Sequence, residues 1–228
     1  MKIEFEPCYP VSITGVHGAG KKTLRDGIAA AGEPFAAVSF DLVKLGRIVD
    51  AEGLETFRDR YLQLDARIRE HCRMGRWPVT SRFGILDIAI VASFMARVGR
   101  IETGVVESYL ARLRQDAQSV CYPRALIAMV CRPEALAERL RKRDLENGLN
   151  APRGAKALAG LVAFLEGIYV RADYPHPAIA EIVSPYKQEG RFLSLDTSES
   201  TPAGSLEEAK AFLGRAGIFA PAAPRTVK

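Results

Sequence analysis

The chain has 228 residues, and its 32 basic against 27 acidic side chains give a formal net charge of +5. Hydrophobic residues make up 48% of it, enough for a sizeable core. The basic excess is modest and spread along the chain, so it disfavours a nucleic-acid binder and favours a small anionic ligand. The longest apolar-rich run, 85–98, is interrupted by Asp87 and Arg97 and is too short to cross a bilayer.

The cysteines and the N-terminal residues indicate a cellular compartment. No pair of cysteines has the short spacing of a zinc ligand set or of a CxxC redox motif. No basic segment followed by a long apolar stretch opens the chain, so no secretory signal is predicted. We therefore expect a cytoplasmic protein whose four cysteines are reduced, namely Cys8, Cys72, Cys121 and Cys131.

Segments typical of strands and of helices alternate along the chain. In chain order we predict a strand at 11–14, a helix at 21–31, a strand at 35–40, a helix at 54–72, a strand at 78–81, helices at 85–98 and about 102–115, a strand at 125–131, helices at 133–146 and 156–171, and a strand at 192–196. A last helix is predicted to begin at Ser205, whose hydroxyl would form a capping box with Glu208. This alternation predicts an α/β fold with a central parallel sheet of five strands.

The division of the chain into domains follows from what interrupts these elements. No internal repeat and no convincing linker is found, so residues 1–228 are predicted to form one domain. The Gly-, Asn- and Pro-rich segment 147–154 is the best candidate for the loop of a small helical lid at about 139–156. The C-terminal residues 217–228 are expected to form a loose tail.

A glycine-rich segment directly follows the first predicted strand and directly precedes the first predicted helix. It has the spacing Gly15-x4-Gly20-Lys21, in which glycines bring backbone N–H groups close to phosphate oxygens and the helix N-terminus adds partial positive charge. Lys21 is predicted to reach the β- and γ-phosphates of a nucleotide. The residues predicted to bind the nucleotide here are Gly15, His17, Gly18, Ala19, Gly20, Lys21, Lys22 and Thr23.

The position after Lys21 departs from the usual pattern of such loops. A Ser or Thr hydroxyl at that position commonly contacts Mg²⁺, whereas here Lys22 occupies it and the hydroxyl follows one residue later, at Thr23. Loops of the adenylate-kinase kind also lack the hydroxyl. Thr23 is therefore the candidate metal ligand, and Mg²⁺ is expected to rely on substrate phosphates and water. Lys22 is either a second phosphate contact or a solvated helix residue.

Further segments resemble thymidylate kinases and deoxynucleoside kinases, in the same order and over most of the chain. Asp41, with Arg47 shortly after it, is similar to the segment where those families have an acidic residue after the second strand and a substrate-facing arginine beyond it. Ser81-Arg82 resembles the end of their third strand, where an acidic residue and an arginine stand side by side. Here Ser81 takes the place of the acid and only the arginine is kept.

The second half of the chain continues this resemblance. Residues 131–144 are similar to the exit of the fourth strand and the arginine-rich lid helix of those families, and 161–169 to the helix after the lid. Asp196 and Thr197 resemble the loop that wraps the adenine of ATP. The resemblance therefore implies that both residues contact the nucleotide.

The chemical roles of the candidate residues follow from their charge and position. Arg139 and Arg143 are four residues apart, so they project from one helical face and could close over phosphates. Asp41 follows a predicted strand and could accept the proton of an attacking hydroxyl or bind Mg²⁺ through water, although such residues are also often helix caps. Asp87 ranks below it, as a residue that faces the substrate helix or a partner. The predicted catalytic residues are Lys21, Asp41, Arg82, Arg139 and Arg143, and the predicted substrate contacts are Asp41, Arg47 and Arg82.

The resemblance implies a three-layer P-loop fold and an ATP-dependent kinase that uses Mg²⁺ and transfers the γ-phosphate to a nucleoside or a nucleoside monophosphate. The many arginines slightly favour the phosphorylated acceptor, and a kinase of another small metabolite stays open. Because Lys22 and Ser81 depart from the usual pattern, a non-catalytic or regulatory nucleotide-binding protein is the alternative. A nucleic-acid-end kinase has little support from the weak basic clustering, and a homodimer is left open.

Overall fold

Five parallel strands form one sheet in the computed structural model, which describes residues 3–39, 50–146 and 155–219. The strands are β1 Val11–Gly15, β2 Phe35–Val38, β3 Trp77–Thr80, β4 Ala125–Val130 and β5 Phe192–Asp196. The helices are α1 Lys21–Ala29, α2 Ala51–Arg73, α3 Gly84–Arg97, α4 Thr103–Asp116, α5 Pro133–Glu146, α6 Ala155–Glu166, α7 Pro177–Gln188 and α8 Pro202–Arg215. The predicted α/β fold with a five-stranded parallel sheet is confirmed.

The strand order β2-β3-β1-β4-β5 puts β1 at the centre of the sheet. Its first residue, Val11, is paired with Val79 on one side and with Ala125 on the other. All six residues of β4 are buried, as expected of a parallel strand that helices cover on both faces. In open sheets of this kind ligands bind beyond the carboxyl ends of the strands, where the chain turns from one side of the sheet to the other. Here that point is the end of β1.

One helix, α7, was not predicted from the sequence. Pro185 lies inside it, and an interior proline removes a backbone hydrogen bond and normally ends a helix. Its N-cap is His176, whose Nδ1 accepts a hydrogen bond from the backbone N–H of Ala178 at 3.1 Å. Histidine is not among the common capping residues, although Pro177 at the first turn and Gly190 after the C-cap, at φ 66°, are typical of helix ends.

Three predicted helix boundaries were wrong by three residues or more. The helix predicted from 54 begins at Ala51, where the side chain of Asp50 caps it by accepting a hydrogen bond from Gly53 N at 2.8 Å. The last helix begins at Pro202 and not at Ser205, because the hydroxyl of Thr201 caps it by accepting a hydrogen bond from Gly204 N at 3.1 Å. The helix predicted over 156–171 is α-helical only to Glu166 and continues as a π-helix at Gly167–Arg171. Local propensity does not distinguish α from π geometry, so this change of pitch has no sequence signature.

Two predicted segments lie outside the described residues, namely the lid loop at 147–154 and the tail from 220 onwards. Within the described ranges, no helix is both long enough and apolar enough to cross a membrane.

Cys8 and Cys72 are joined by a disulfide, so the prediction that all four cysteines are reduced was wrong for this pair. Their Cα atoms are 5.5 Å apart, within the usual range for a disulfide. The two residues are 64 positions apart in the sequence, so no local motif points to the bond. It ties the C-terminal end of α2 to the segment that precedes β1. Cys121 and Cys131 are buried free thiols.

Removing this disulfide is expected to lower the free energy of unfolding by about 2–4 kcal/mol, because a closed loop of this length restricts the unfolded chain. The measurement is urea-induced unfolding of the oxidised protein and of the Cys8→Ser/Cys72→Ser variant, each with and without dithiothreitol. The reductant should lower the midpoint of the wild-type protein to that of the variant and leave the variant unchanged. A wild-type midpoint that does not respond to reductant would contradict the bond.

Candidate active site

The glycine-rich loop connects β1 to α1, and its backbone has the conformation that the spacing predicts. Gly15, Gly18 and Gly20 have φ values of 115°, 93° and 94°, a region that L side chains rarely adopt. Gly15 also passes so close to β4 that a Cβ atom there would lie 2.0 Å from the carbonyl oxygen of Met129. The loop therefore depends on glycine both for its turn and for its contact with the sheet.

Lys21 opens α1, and its side chain folds back over the loop. Its Nζ donates hydrogen bonds to the carbonyl oxygens of Gly15, at 2.8 Å, and of Val16, at 2.7 Å. Burial and the nearby charge of Arg82 lower the pKa of Lys21 well below its ordinary value, while Asp87 acts in the opposite direction. The amine of Lys21 is thus held in the hollow of the glycine-rich loop.

On one side of the loop lies a cleft of about 560 Å³, a volume that includes space open to solvent, which we call the Thr197 cleft. Its walls come from the loop, from β4, from α5 and from the segment between β5 and α8. They include Gly20, Thr23, Met129, Arg139, Thr197 and Ser205. Thr23, the predicted metal ligand, is exposed and lines this cleft, whereas Lys22 is exposed and does not line it.

Arg139 and Arg143 both reach from α5 towards the residues around the loop. Arg139 donates a hydrogen bond from Nη1 to the hydroxyl of Thr197 at 3.1 Å, and another from Nη2 to the Thr197 carbonyl oxygen. Nη1 of Arg143 lies 2.7 Å from Nε2 of His17, inside the loop itself. Of the predicted pair of arginines, Arg143 therefore contacts the loop itself, and Arg139 contacts the segment between β5 and α8.

The two predicted adenine-loop residues differ in their surroundings. Thr197 is buried, and its backbone N–H donates to the carbonyl oxygen of Val130 at 2.9 Å. Asp196 is exposed and accepts hydrogen bonds from the backbone N–H and the hydroxyl of Ser198, at 2.8 Å and 2.6 Å. Thr197 therefore lines the cleft, while Asp196 shapes the turn that follows β5.

On the other side of the loop lies a second pocket of about 500 Å³, a volume that includes space open to solvent, which we call the Asp87 pocket. Its walls come from the loop, the β3–α3 turn, α2, α3, α6 and the π-helix. The polar residues Arg82 and Asp87 lie at the end next to the loop. The remaining walls include Phe57, Tyr61, Ile90, Val91, Leu165 and Tyr169.

Asp87 is a buried carboxylate in the first turn of α3, held by hydrogen bonds from three elements. Its Oδ1 accepts from the hydroxyl of Thr14 at 2.7 Å, and its Oδ2 accepts from the backbone N–H of Phe83 at 3.2 Å. Tyr61 makes a longer contact to Oδ2, at 3.4 Å. Burial raises the pKa of Asp87, and Arg82, Thr14 and Lys21 lower it in turn.

Sequence reasoning ranked Asp87 below Asp41 and did not predict its position beside the loop. One signal was present, because Asp87 interrupts an apolar helix that must be buried on most of its surface. A buried charge of that kind requires partners, and here one of them, Thr14, directly precedes the loop. The predicted residues Asp41 and Arg47 lie outside the described part of the chain, so their roles stay predictions.

Comparison with known proteins gives a likeness in structure without one in sequence. No family model matches the chain, and no curated protein matches it in sequence. A deoxyadenosine kinase from M. mycoides with bound dATP matches with a TM-score of 0.60 and 12% identity, over 90% of this chain and 99% of that chain. The same enzyme with the products dCMP and dCDP matches with a TM-score of 0.56 and 12% identity. With bound dCTP it matches with a TM-score of 0.51 and 13% identity, and both structures are covered to the same extent as the first. At this identity the likeness concerns the fold alone, and the chain has an α/β P-loop fold similar to that of this kinase.

Proposed function

We propose that the protein is an ATP-dependent phosphotransferase that transfers the γ-phosphate to a hydroxyl group of a nucleoside-like acceptor. The observation that carries this proposal is the pair of cavities on opposite sides of one phosphate loop. The Thr197 cleft lies on one side and the Asp87 pocket on the other, with Lys21 on the loop between them. A transferase needs two substrates that meet at the phosphate, and this arrangement offers a place for each.

The Thr197 cleft suits the nucleoside part of ATP. The loop beside it would take the phosphates, since its backbone N–H groups and the N-terminus of α1 attract anions. Arg139 joins α5 to the β5–α8 segment across this cleft. The matched kinases bind dATP and dCTP, which agrees with a nucleotide site in this fold.

The Asp87 pocket suits an uncharged acceptor better than a phosphorylated one. Arg82 is the only Lys or Arg among the described residues that line it, and the buried carboxylate of Asp87 faces the same end. A phosphate at that end would meet a like charge in a place with little water to screen it. This differs from the sequence-based preference for a monophosphate, which rested on counting arginines.

The chemistry asks for positive charge around the moving phosphoryl group. Lys21 and Arg82 lie at the boundary between the loop and the Asp87 pocket, and Arg139 and Arg143 approach the loop from α5. Such a set would stabilise the charge that spreads over the phosphoryl oxygens in the transition state.

The donors of the site also suit Mg²⁺. When bound, this ion neutralises charge on the ATP phosphates. The hydroxyl of Thr23 would hold it together with phosphate oxygens and water, which are the hard ligands that Mg²⁺ prefers. Lys22 offers no oxygen, so the ion would have few ligands from this part of the chain.

The experiment is to incubate the protein with ATP and Mg²⁺ and with a panel of nucleosides, nucleoside monophosphates and small hydroxyl metabolites, and to measure ADP formation. We expect nucleosides to stimulate ADP formation and monophosphates to do so much less. Preferential turnover of monophosphates would contradict the assigned acceptor. ATP binding without stimulation by any acceptor would favour a non-catalytic nucleotide-binding protein.

A further inference from the structure

We propose that Asp87 is the carboxylate that binds the acceptor hydroxyl and takes up its proton, in place of the acid that is absent at Ser81. This inference rests on the proposed function and adds a catalytic residue to it. Asp87 lies six positions after Ser81, in the helix that follows β3. Its carboxylate accepts a hydrogen bond from the backbone N–H of Phe83, in the turn between β3 and α3, and therefore lies near the loop.

The carboxylate of Asp87 is held next to the start of the phosphate loop. Thr14, which donates to Oδ1 of Asp87, is the residue immediately before Gly15. Arg82 and Lys21 are near enough for their charges to act on Asp87. Asp87 and the first loop residues line the same pocket. A hydroxyl that approaches the end of the loop from this pocket would therefore meet Asp87.

The hydrogen bonds of Asp87 leave one of its oxygens able to take a new partner. Thr14 has a single hydroxyl proton, and it is donated to Oδ1 at 2.7 Å. The hydroxyl of Tyr169, 2.8 Å from Thr14 Oγ1, must then be the donor in that bond. Among the residues that the structure describes, Oδ2 accepts from Phe83 N and makes a long contact with Tyr61, which an acceptor hydroxyl could replace.

Tyr169 belongs to an unusual piece of backbone that places it. It lies in the π-helix Gly167–Arg171, which ends at Ala172 with φ 58°. Its carbonyl oxygen accepts a hydrogen bond from Nζ of Lys187 at 2.8 Å. Isolated π-turns and non-glycine residues at positive φ cost free energy and recur at functional sites. We therefore assign Tyr169 as a positioning residue that orients Asp87 through Thr14.

The proposed step conserves atoms and charge. The acceptor oxygen forms a bond to the γ-phosphorus while the bond from that phosphorus to the β–γ bridging oxygen breaks, and ADP leaves with the electron pair. The acceptor proton passes to Oδ2 of Asp87. It then leaves to water after the products separate, and Asp87 is ionised again.

The test compares Asp87→Asn with Asp41→Asn, the rival acid, using the best acceptor found for the wild-type protein. Loss of the base is expected to lower kcat about 100-fold. In Asp87→Asn, ATP affinity and the melting temperature should stay close to the wild-type values, and Asp41→Asn should lower kcat less. Near wild-type turnover by Asp87→Asn, with turnover abolished in Asp41→Asn, would overturn the role of Asp87. That result would leave the proposed kinase function intact, whereas a wild-type protein without turnover would refute the kinase function and the role of Asp87 together.

A second variant separates positioning from folding. Tyr169→Phe keeps the ring and removes the donor to Thr14, and we expect kcat/KM for the acceptor to fall about tenfold. Because Asp87 then loses part of its support as an anion, the acidic limb of the pH–rate profile should move to higher pH. The other groups that face Asp87, namely Arg82, Lys21 and Tyr61, are unchanged in this variant. An unshifted profile would overturn the assignment of Tyr169.

Discussion

Replacing Lys21 by alanine is expected to lower kcat by about a thousandfold while the protein stays folded. The side chain lies in the hollow of the loop, on the carbonyl oxygens of Gly15 and Val16, where the phosphates of ATP would bind. Its charge can follow the phosphoryl group as the bond to the leaving oxygen breaks. The measurement is acceptor-dependent ADP formation at saturating ATP, with circular dichroism as the check on folding.

The matched control for this prediction is Lys22→Ala. Lys22 is the next residue, carries the same charge and is exposed. If the effect came from net charge near the loop, both variants would lose activity to a similar extent. We expect a change of less than about twofold for Lys22→Ala, because an exposed charge is largely screened by solvent and salt. Equal losses in the two variants would contradict the special role of Lys21.

Replacing Gly15 by alanine is expected to lower the free energy of unfolding by about 4 kcal/mol. Two causes act together at this position. The backbone has φ 115°, and a Cβ atom would lie 2.0 Å from the carbonyl oxygen of Met129. That oxygen belongs to the central part of the sheet, so it cannot move aside as a flexible side chain would.

Gly32→Ala separates the two causes. Gly32 has a similar φ of 113°, but nothing lies within 4 Å of the Cβ position. We expect it to cost only about 1–2 kcal/mol, which is the strain of the backbone alone. Urea unfolding of both variants gives the comparison. Similar losses for Gly15→Ala and Gly32→Ala would mean that the contact between the loop and β4 is not as close as the structure has it.

The loop and the sheet could be predicted from the sequence because their signals are local. The spacing Gly15-x4-Gly20-Lys21 lies directly between a β-prone run and a helical pattern, and the continuous apolar run of β4 is typical of a covered parallel strand. Each of these features depends on residues within one or two elements, so no knowledge of tertiary contacts is needed.

The pocket beside the loop could not be predicted in the same way. Asp87 is positioned by a hydrogen bond from Thr14, which is 73 residues away in the sequence. Thr14 is in turn hydrogen-bonded to Tyr169, which is 155 residues from it. Contacts of this range are set by how α3 and the π-helix pack on β1. The disulfide between Cys8 and Cys72 has the same origin. Such contacts cannot be predicted from the spacing of residues in the sequence. Arg139 and Arg143, by contrast, are four residues apart, so their shared helical face could be predicted.

The most direct test of the central claim is to follow the γ-phosphate itself. ATP with a labelled γ-phosphate is incubated with the protein and a nucleoside, and the label is traced to organic product or to inorganic phosphate. Two cavities that meet at one loop predict label in a phosphorylated nucleoside, and its loss in Lys21→Ala. Label that appears only in inorganic phosphate, or that stays in ATP, would contradict a transfer between the Thr197 cleft and the Asp87 pocket.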